Sequence, residues 1–217
     1  MDYSQILGHI DHTCLDPCAT WKQIQQLCDE AIQHHTASIC IPPCYVQRVK
    51  QRYQDQIPIC TVIGFPLGYS TTASKLAEAR QAILDGASEI DMVINISDAK
   101  NGDFLAIQSE ISQIKQAIGS HILKVIVETC YLSEQEKIQL CQAVTNAQAD
   151  FIKTSTGFGT DGARLEDICL FRQHIGPNVK IKAAGGIRTI EDLEAFIQAG
   201  CERIGSSSAV SLLAEKH

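Results

Sequence analysis

No stretch of this chain approaches the roughly 20 consecutive apolar residues of a membrane span, and its first ten residues have neither a basic head nor a long apolar run. Lysine and arginine do not cluster, and the formal net charge is −7. The first observation argues against a membrane helix and a secretory signal. The second argues against a surface that binds nucleic-acid phosphates. We therefore expect a folded cytosolic protein with neither nucleic acid nor membrane as a partner.

Metal-binding patterns are also missing. The ten cysteines are scattered, and the nearest pairs, Cys14 with Cys18 and Cys40 with Cys44, have no second half that completes a zinc site. The chain has no His-x-x-x-His spacing and no aspartate-rich loop. We therefore expect no dedicated metal site, and reduced, mostly buried thiols rather than disulfides.

A short apolar run followed by a longer segment with helical spacing recurs eight times in the 217 residues. The predicted strands are His9–Thr13, Ser38–Ile41, Ile59–Phe65, Glu89–Asn95, Lys124–Glu128, Phe151–Thr154, Lys180–Ala184 and Arg203–Gly205. Strands that alternate with helices imply right-handed crossovers and a parallel sheet. Eight such units predict a (β/α)8 TIM barrel, with residues 1–217 as one domain. An open doubly wound sheet is the alternative, but its usual Gly-x-Gly-x-x-Gly does not follow the first strand.

Two lysines stand at the ends of predicted buried strands. Lys153 precedes a turn rich in hydroxyl groups and glycine, and Lys182 stands shortly before a Gly-Gly pair. Burial disfavours an ammonium group and favours the neutral amine, which can attack a carbonyl carbon. If the two side chains converge, like-charge repulsion lowers the pKa of one of them further.

Strand parity predicts which charged side chains enter the barrel. Because successive side chains of a strand alternate between its faces, Asp91, Lys124, Glu128 and the two strand-end lysines point inward when their apolar neighbours face the helices. Charges are seldom buried without partners, and barrel enzymes place their chemistry at the C-terminal ends of the strands. A purely structural ion-pair cluster is the alternative to a catalytic site.

The loops after the last two strands favour an anionic ligand. Gly185 and Gly186 follow the seventh strand, and the eighth runs into Gly205 and three serines, Ser206, Ser207 and Ser208. Barrels often bind phosphate at this position, where glycines let backbone amides approach the anion and serines add hydroxyl donors. The sequence therefore predicts a phosphorylated carbonyl substrate.

Several segments together resemble one enzyme family. They are Phe-Ile-Lys-Thr-Ser-Thr-Gly-Phe (151–158), Ile-Lys-Ala-Ala-Gly-Gly-Ile-Arg (181–188), Glu-Ile-Asp-Met-Val (89–93), Leu-Lys-Val-Ile-Val-Glu-Thr (123–129), Arg-Ile-Gly-Ser-Ser-Ser (203–208), His-Ile-Asp-His-Thr (9–13) and Ser-Ile-Cys-Ile-Pro-Pro (38–43). In this order they resemble the deoxyribose-phosphate aldolases over nearly the whole chain. The resemblance implies a class I aldolase without metal or cofactor that interconverts 2-deoxy-D-ribose 5-phosphate with D-glyceraldehyde 3-phosphate and acetaldehyde.

The resemblance also implies roles for individual residues. Lys153 matches the lysine that forms the Schiff base, and Lys182 matches the lysine whose charge keeps it deprotonated. Asp91 matches the residue that shuttles protons with a water molecule, with Lys124 and Glu128 as its supporting charges.

Binding residues follow from the same resemblance. It places Gly157 and the glycines and serines of the two late loops around the phosphate, with Arg188 as a distant contributor because Phe158 takes the place of a basic side chain. Asp11, Cys40 and Thr154 are expected at the substrate mouth, although a packed position in its strand is the alternative for Cys40. A transaldolase-like enzyme and a noncatalytic sugar-phosphate binder remain open, as does self-association.

Overall fold

Eight parallel strands, each hydrogen-bonded to the next, form a closed barrel in the computed structural model, which describes residues 1–214. The strands are β1 (Ile10–Thr13), β2 (Ser38–Ile41), β3 (Ile59–Ile63), β4 (Glu89–Val93), β5 (Ile122–Ile126), β6 (Phe151–Lys153), β7 (Lys180–Ala184) and β8 (Arg203–Ser206). β8 pairs with β1 and closes the ring. The predicted (β/α)8 fold is therefore confirmed, while Glu215, Lys216 and His217 of the predicted domain lie outside the described residues.

A short helix precedes β1, and helices follow each of the strands along the chain. They are α1 (Tyr3–Leu7), α2 (Trp21–Gln33), α3 (Val46–Tyr53), α4 (Thr72–Asp85), α5 (Ile96–Lys100), α6 (Phe104–Ile118), α7 (Glu134–Asn146), α8 (Leu165–His174), α9 (Ile190–Ala199) and α10 (Ala209–Ala214). Capping boxes begin α2, α7 and α9, so that two backbone amides at each end are satisfied by side chains. None of the helices in residues 1–214 is long and apolar enough to cross a bilayer.

The strands lie at the predicted places, but β3 and β4 end two residues before the predicted Phe65 and Asn95, and β5 differs at both ends. It begins at Ile122 and ends at Ile126, short of the predicted end at Glu128. Glu128 therefore lies beyond the strand, in a left-handed conformation with φ 57° and ψ 66°. The prediction that Glu128 is an inward-pointing strand residue is wrong, because the chain leaves the sheet before reaching it.

The apolar core lies between the strands and the surrounding helices. Outward-facing strand side chains such as Ile90, Met92 and Ile181 are at most 1% exposed and pack in one continuous cluster with the inner faces of the helices. Burying a side chain of this size contributes about 1.5–3 kcal/mol. Because this outer layer holds the apolar surface, the interior of the ring is left for the polar side chains on the opposite strand faces.

Candidate active site

Asp91 is the centre of a buried group of charged side chains inside the barrel. Its Oδ2 accepts hydrogen bonds from Lys153 Nζ and Lys182 Nζ, both at 2.7 Å, and its Oδ1 accepts one from Lys124 Nζ at 2.9 Å. All four side chains are at most 3% exposed. The structure thus brings together the three lysines and the aspartate that strand parity directs inward.

A second set of charges continues this group. Asp11 pairs with Lys182 at 2.5 Å and with the Arg203 guanidinium. Glu89 pairs with Lys124 at 2.7 Å and with Arg203 at 2.9 Å. We call these seven residues the inner charge cluster: Asp11, Glu89, Asp91, Lys124, Lys153, Lys182 and Arg203. The sequence analysis missed Glu89 and Arg203. Strand alternation was the signal for both, because Glu89 shares its strand face with Asp91 and Arg203 shares its face with Gly205.

Charged partners fix the ionisation of most members of this cluster. Burial would raise the pKa of Asp91, but the three lysines outweigh it and hold that pKa well below its ordinary value. Burial would likewise raise the pKa of Asp11, and Lys182, Lys124 and Arg203 lower it instead. Both groups are therefore carboxylates.

The opposite shifts occur at the two fully buried lysines. Burial would lower the pKa of Lys124 and of Lys182, but the neighbouring carboxylates outweigh burial and raise both pKa values. These two side chains are therefore permanent cations, as is Arg203, whose pKa Asp11 and Glu89 raise against the effect of burial. The inner charge cluster then contains three fixed cations, the acidic side chains of Asp11, Glu89 and Asp91, and Lys153.

Two cysteines that are far apart in the sequence meet beside the cluster. Cys40 and Cys60 are paired across β2 and β3, and the Cys60 thiol donates to Asp91 Oδ1 at 3.1 Å. A hydrogen bond with Cys60 lowers the pKa of Cys40 despite its burial. Burial raises the pKa of Cys60 well above its ordinary value. Cys40, Cys60 and Asp91 offer ligand atoms within 4.8 Å of one another, but the Asp91 oxygens already accept three lysines, which a metal ion would have to displace.

An open cavity of about 730 Å³ lies over one side of the barrel, within the range of small-molecule sites. Every residue predicted to bind phosphate lines it: Gly157, Gly185, Gly186, Gly205, Ser206, Ser207 and Ser208. Lys153 and the exposed cation Arg188 line it as well. The lysine that belongs to the inner charge cluster therefore shares one cavity with the proposed phosphate loops.

Close approach of two loops explains one of the glycines. Gly185 has φ 81°, and a Cβ at this position would lie 3.2 Å from the Cα of Gly162 and 3.4 Å from that of Gly157. A side chain here would be strained by the backbone conformation and crowded by the neighbouring loop. Glycine thus permits the loops after β6 and β7 to form one continuous wall.

The three residues expected at the substrate mouth are buried and do not line this cavity. Asp11 is fully buried because Lys182 and Arg203 neutralise it. Cys40 is fully buried in a small apolar cluster with Cys60. Thr154 is fully buried, and its hydroxyl accepts from the Ala184 N–H at 3.1 Å.

The sequence analysis also predicts Glu128 as one of the supporting charges. Within the described chain, no ion pair to Glu128 is formed. Its carboxylate instead accepts from the backbone N–H of Thr156 at 3.1 Å and from the Thr156 hydroxyl. Burial raises the pKa of Glu128, against the opposing effect of these bonds. Thr156, which the sequence analysis did not select, lines the cavity.

A closed parallel barrel with buried lysines under a cavity at the ends of its strands defines a barrel enzyme with amine chemistry at that face. Residues 6–215 match the family model described as DeoC/LacD family aldolase, and the chain belongs to this aldolase family. It is 62% identical over 213 residues to a deoxyribose-phosphate aldolase of Clostridium botulinum (strain Alaska E43, type E3), covering 98% of this chain and 96% of that protein. It is 58% identical to the deoxyribose-phosphate aldolase of Clostridioides difficile (strain 630), covering 96% and 95%.

A solved structure agrees with these relatives. The deoxyribose phosphate aldolase from Aeropyrum pernix, described as tetrameric, has a TM-score of 0.90 and 30% sequence identity, covering 99% of this chain and 92% of its own. Fold, family and relatives therefore identify the protein as an aldolase.

Proposed function

We propose that this aldolase reversibly cleaves 2-deoxy-D-ribose 5-phosphate into D-glyceraldehyde 3-phosphate and acetaldehyde through an imine on Lys153. The observation that carries the proposal is the sharing of one oxygen, Asp91 Oδ2, by Lys153 and Lys182, each at 2.7 Å. Two ammonium groups this close repel each other. Since Lys182 is held as a cation, Lys153 is the amine that gives up its proton.

The composition of the inner charge cluster supports the same assignment. Its three fixed cations equal its three acidic side chains in number, so a protonated Lys153 would add a further positive charge in a buried site. Uncompensated buried charges are unfavourable. The cluster is balanced when Lys153 is neutral, and the neutral amine is the form that attacks an aldehyde.

Carbon–carbon cleavage then follows from the imine. The amine of Lys153 adds to C1 of the open-chain sugar and water leaves, giving a protonated imine that withdraws electrons. The C3 hydroxyl loses its proton, the C2–C3 bond breaks, and its electron pair forms an enamine while C3 becomes the aldehyde of glyceraldehyde 3-phosphate. Protonation of the enamine at C2 and hydrolysis of the imine release acetaldehyde. We assign these proton transfers to Asp91 acting through a water molecule.

The remainder of the cavity suits the phosphate group. Gly185, Gly186 and the serines after β8 line the wall, and Arg188 supplies a cation at the rim. The Ser206 hydroxyl already accepts from the backbone N–H groups of Ser208 and Ala209. Ser207 and Ser208 are therefore the hydroxyl groups that we expect to contact phosphate.

We further propose that the reaction needs neither metal nor cofactor, since the imine itself withdraws the electrons. The expected cytosolic location, the absence of nucleic-acid partners and self-association of the chain all stay predictions. Treatment with EDTA should leave the rate unchanged.

Borohydride reduction tests the central step. Incubation with deoxyribose 5-phosphate or acetaldehyde and borohydride should add one reduced imine to Lys153, located by mass spectrometry of peptides. The Lys153→Met variant, which lacks the amine, should give neither adduct nor turnover. An adduct on another lysine, or none at all in an active preparation, would remove the basis of the mechanism. A faster turnover of ketose phosphates would indicate a transaldolase-like enzyme instead.

A further inference from the structure

Glu128 is a buried acid that the proposed mechanism does not use. Its side chain is 1% exposed, and its backbone has φ 57° and ψ 66°, a conformation that residues other than glycine seldom adopt. Such a conformation persists only where the surrounding contacts impose it. The contacts of Glu128 therefore indicate the role of this backbone conformation.

Those contacts lead to a single neighbouring residue. Glu128 Oε1 accepts from the Thr156 N–H at 3.1 Å, and Oε2 accepts from the Thr156 hydroxyl. Thr156 Oγ1 in turn accepts from the Phe158 N–H at 2.9 Å. The two loops are also joined next to Glu128, where the Thr129 N–H donates to the Thr154 carbonyl at 2.9 Å. The carboxylate thus fixes Thr156, and the Thr156 hydroxyl in turn fixes the Phe158 end of the segment.

This segment belongs to the proposed binding cavity. Thr156, Gly157 and Phe158 line the cavity, whereas Glu128 does not. The segment begins shortly after Lys153, whose bond to Asp91 does not involve Glu128. A change at Glu128 therefore reaches the phosphorylated end of the substrate through the shape of this loop, while the charge of Glu128 also acts on Lys153.

We propose that Glu128 is a positioning residue that holds the loop after β6 in the form that receives the phosphorylated end of the substrate. The assignment rests on the proposed function, since it presumes a phosphorylated sugar in the cavity. An isosteric amide cannot replace the carboxylate fully, because its NH2 group cannot accept the Thr156 hydroxyl proton. Hydrogen bonds to a charged acceptor are the strong ones, so this loss matters at a buried site.

The kinetic split of Glu128→Gln tests the inference. We expect its KM for deoxyribose 5-phosphate to rise about tenfold while kcat stays within about twofold of the parent. The KM for 2-deoxyribose, which has no phosphate, should change much less. Thr156→Val removes the same bond from the other side together with the bond from the Phe158 N–H, and should raise the KM at least as much. Thr156→Ser keeps the hydroxyl and should behave like the parent. The double variant of Glu128→Gln and Thr156→Val should be no worse than Thr156→Val alone.

A matched control distinguishes an effect on the loop from the effect of removing an acidic side chain elsewhere in the protein. Glu136 also accepts a backbone N–H and a hydroxyl, both from Ser133, at 2.6 Å and 2.9 Å, but in the cap of α7 rather than at the cavity. Glu136→Gln should leave the KM unchanged. Additive effects of the Glu128 and Thr156 variants, or equal KM changes for both sugars, would overturn the positioning role. Borohydride trapping of acetaldehyde on Lys153 in the parent protein reports on the aldolase mechanism alone, so the two proposals fail separately.

Discussion

Replacing Lys182 with methionine tests the balance of charges on which the neutral amine depends. The substitution removes one fixed cation from the inner charge cluster, so that protonated Lys153 would then complete a balanced set. We expect the variant to hold a proton on Lys153 at neutral pH and to react slowly. The rise of kcat/KM with pH should move to higher pH, because the amine must lose its proton before it attacks.

The size of the shift follows from the geometry at Asp91. Both nitrogens lie 2.7 Å from Asp91 Oδ2, which places them no more than twice that distance, about 5.4 Å, apart. Two unit charges at this separation interact by about 3 kcal/mol at an effective dielectric constant of about 20. This energy corresponds to a shift of about two pH units. At a pH below the rise, kcat/KM should therefore fall about 100-fold.

The assay is the pH dependence of kcat/KM for deoxyribose 5-phosphate cleavage, with glyceraldehyde 3-phosphate measured by a coupled reduction. Lys124→Met is the matched control, since Lys124 is also fully buried and also bonded to Asp91, but through Oδ1. It does not share an oxygen with Lys153, so its profile should move less. Thermal unfolding of both variants checks that the barrel remains intact.

The result depends on whether the substitution lowers kcat/KM at every pH or moves the pH at which kcat/KM rises. A Lys182→Met enzyme that is slow at every pH, with its profile unmoved, would mean that Lys182 acts by another route, such as direct contact with substrate. A control variant that shifts the profile equally would mean that the total charge matters and the shared oxygen does not. Either result would refute the claim that Lys182 keeps Lys153 neutral through their common oxygen on Asp91.

Two further substitutions test neighbouring parts of the site. Asp11→Asn should lower the free energy of unfolding at pH 7 by about 3 kcal/mol, because it removes the buried carboxylate that Lys182 and Arg203 share, although each keeps its second partner. The pKa of Asp11 is lower in the folded protein than in the unfolded one, so its contribution is present above the unfolded value and is lost as the pH falls below about 4. Urea unfolding at pH 7 and at pH 3.5 should therefore show a smaller difference between variant and parent at the lower pH. Arg188→Met should raise the KM for deoxyribose 5-phosphate about three- to tenfold with little change in kcat, since an exposed cation contributes about 1 kcal/mol, whereas an equal change for 2-deoxyribose would argue against phosphate contact.

The fold was predictable because the strand and helix periodicities are clear in this chain. The inward direction of the charged residues on β4 to β7 follows from simple alternation, as Asp91, Lys153 and Lys182 illustrate. The five-residue helices α1 and α5 were missed because each is too short to show a helical period. The end of β5 was missed because Val127 and Glu128 continue the alternation of the strand, although the backbone turns away.

The partners of the inward-pointing side chains were less predictable from the sequence than the direction in which each side chain points. Asp11 was expected at the mouth from the resemblance alone, and its burial is explained only by Lys182 and Arg203. These residues are separated from Asp11 by most of the chain, so no local pattern connects them. Cys40 and Cys60 are likewise joined only by the pairing of β2 with β3. Register between strands, which the closed ring determines, is the information that local periodicity does not contain.

Stability and chemistry depend on the same imbalance in the inner charge cluster. A buried set of charges is best tolerated when it is fully paired, and here pairing is complete when one amine is uncharged. Lys153 is the lysine of the cluster that also lines the open cavity, so the amine that we propose to be neutral is the one that substrate reaches. The Lys182→Met variant should consequently turn over substrate more slowly without a comparable loss of stability. In the parent a neutral lysine lies beside a fixed cation, whereas in the variant a single charged lysine remains. Asp11→Asn should have the opposite effect on the balance of charges in the cluster. It removes a carboxylate and leaves two fixed cations without the partner that they share.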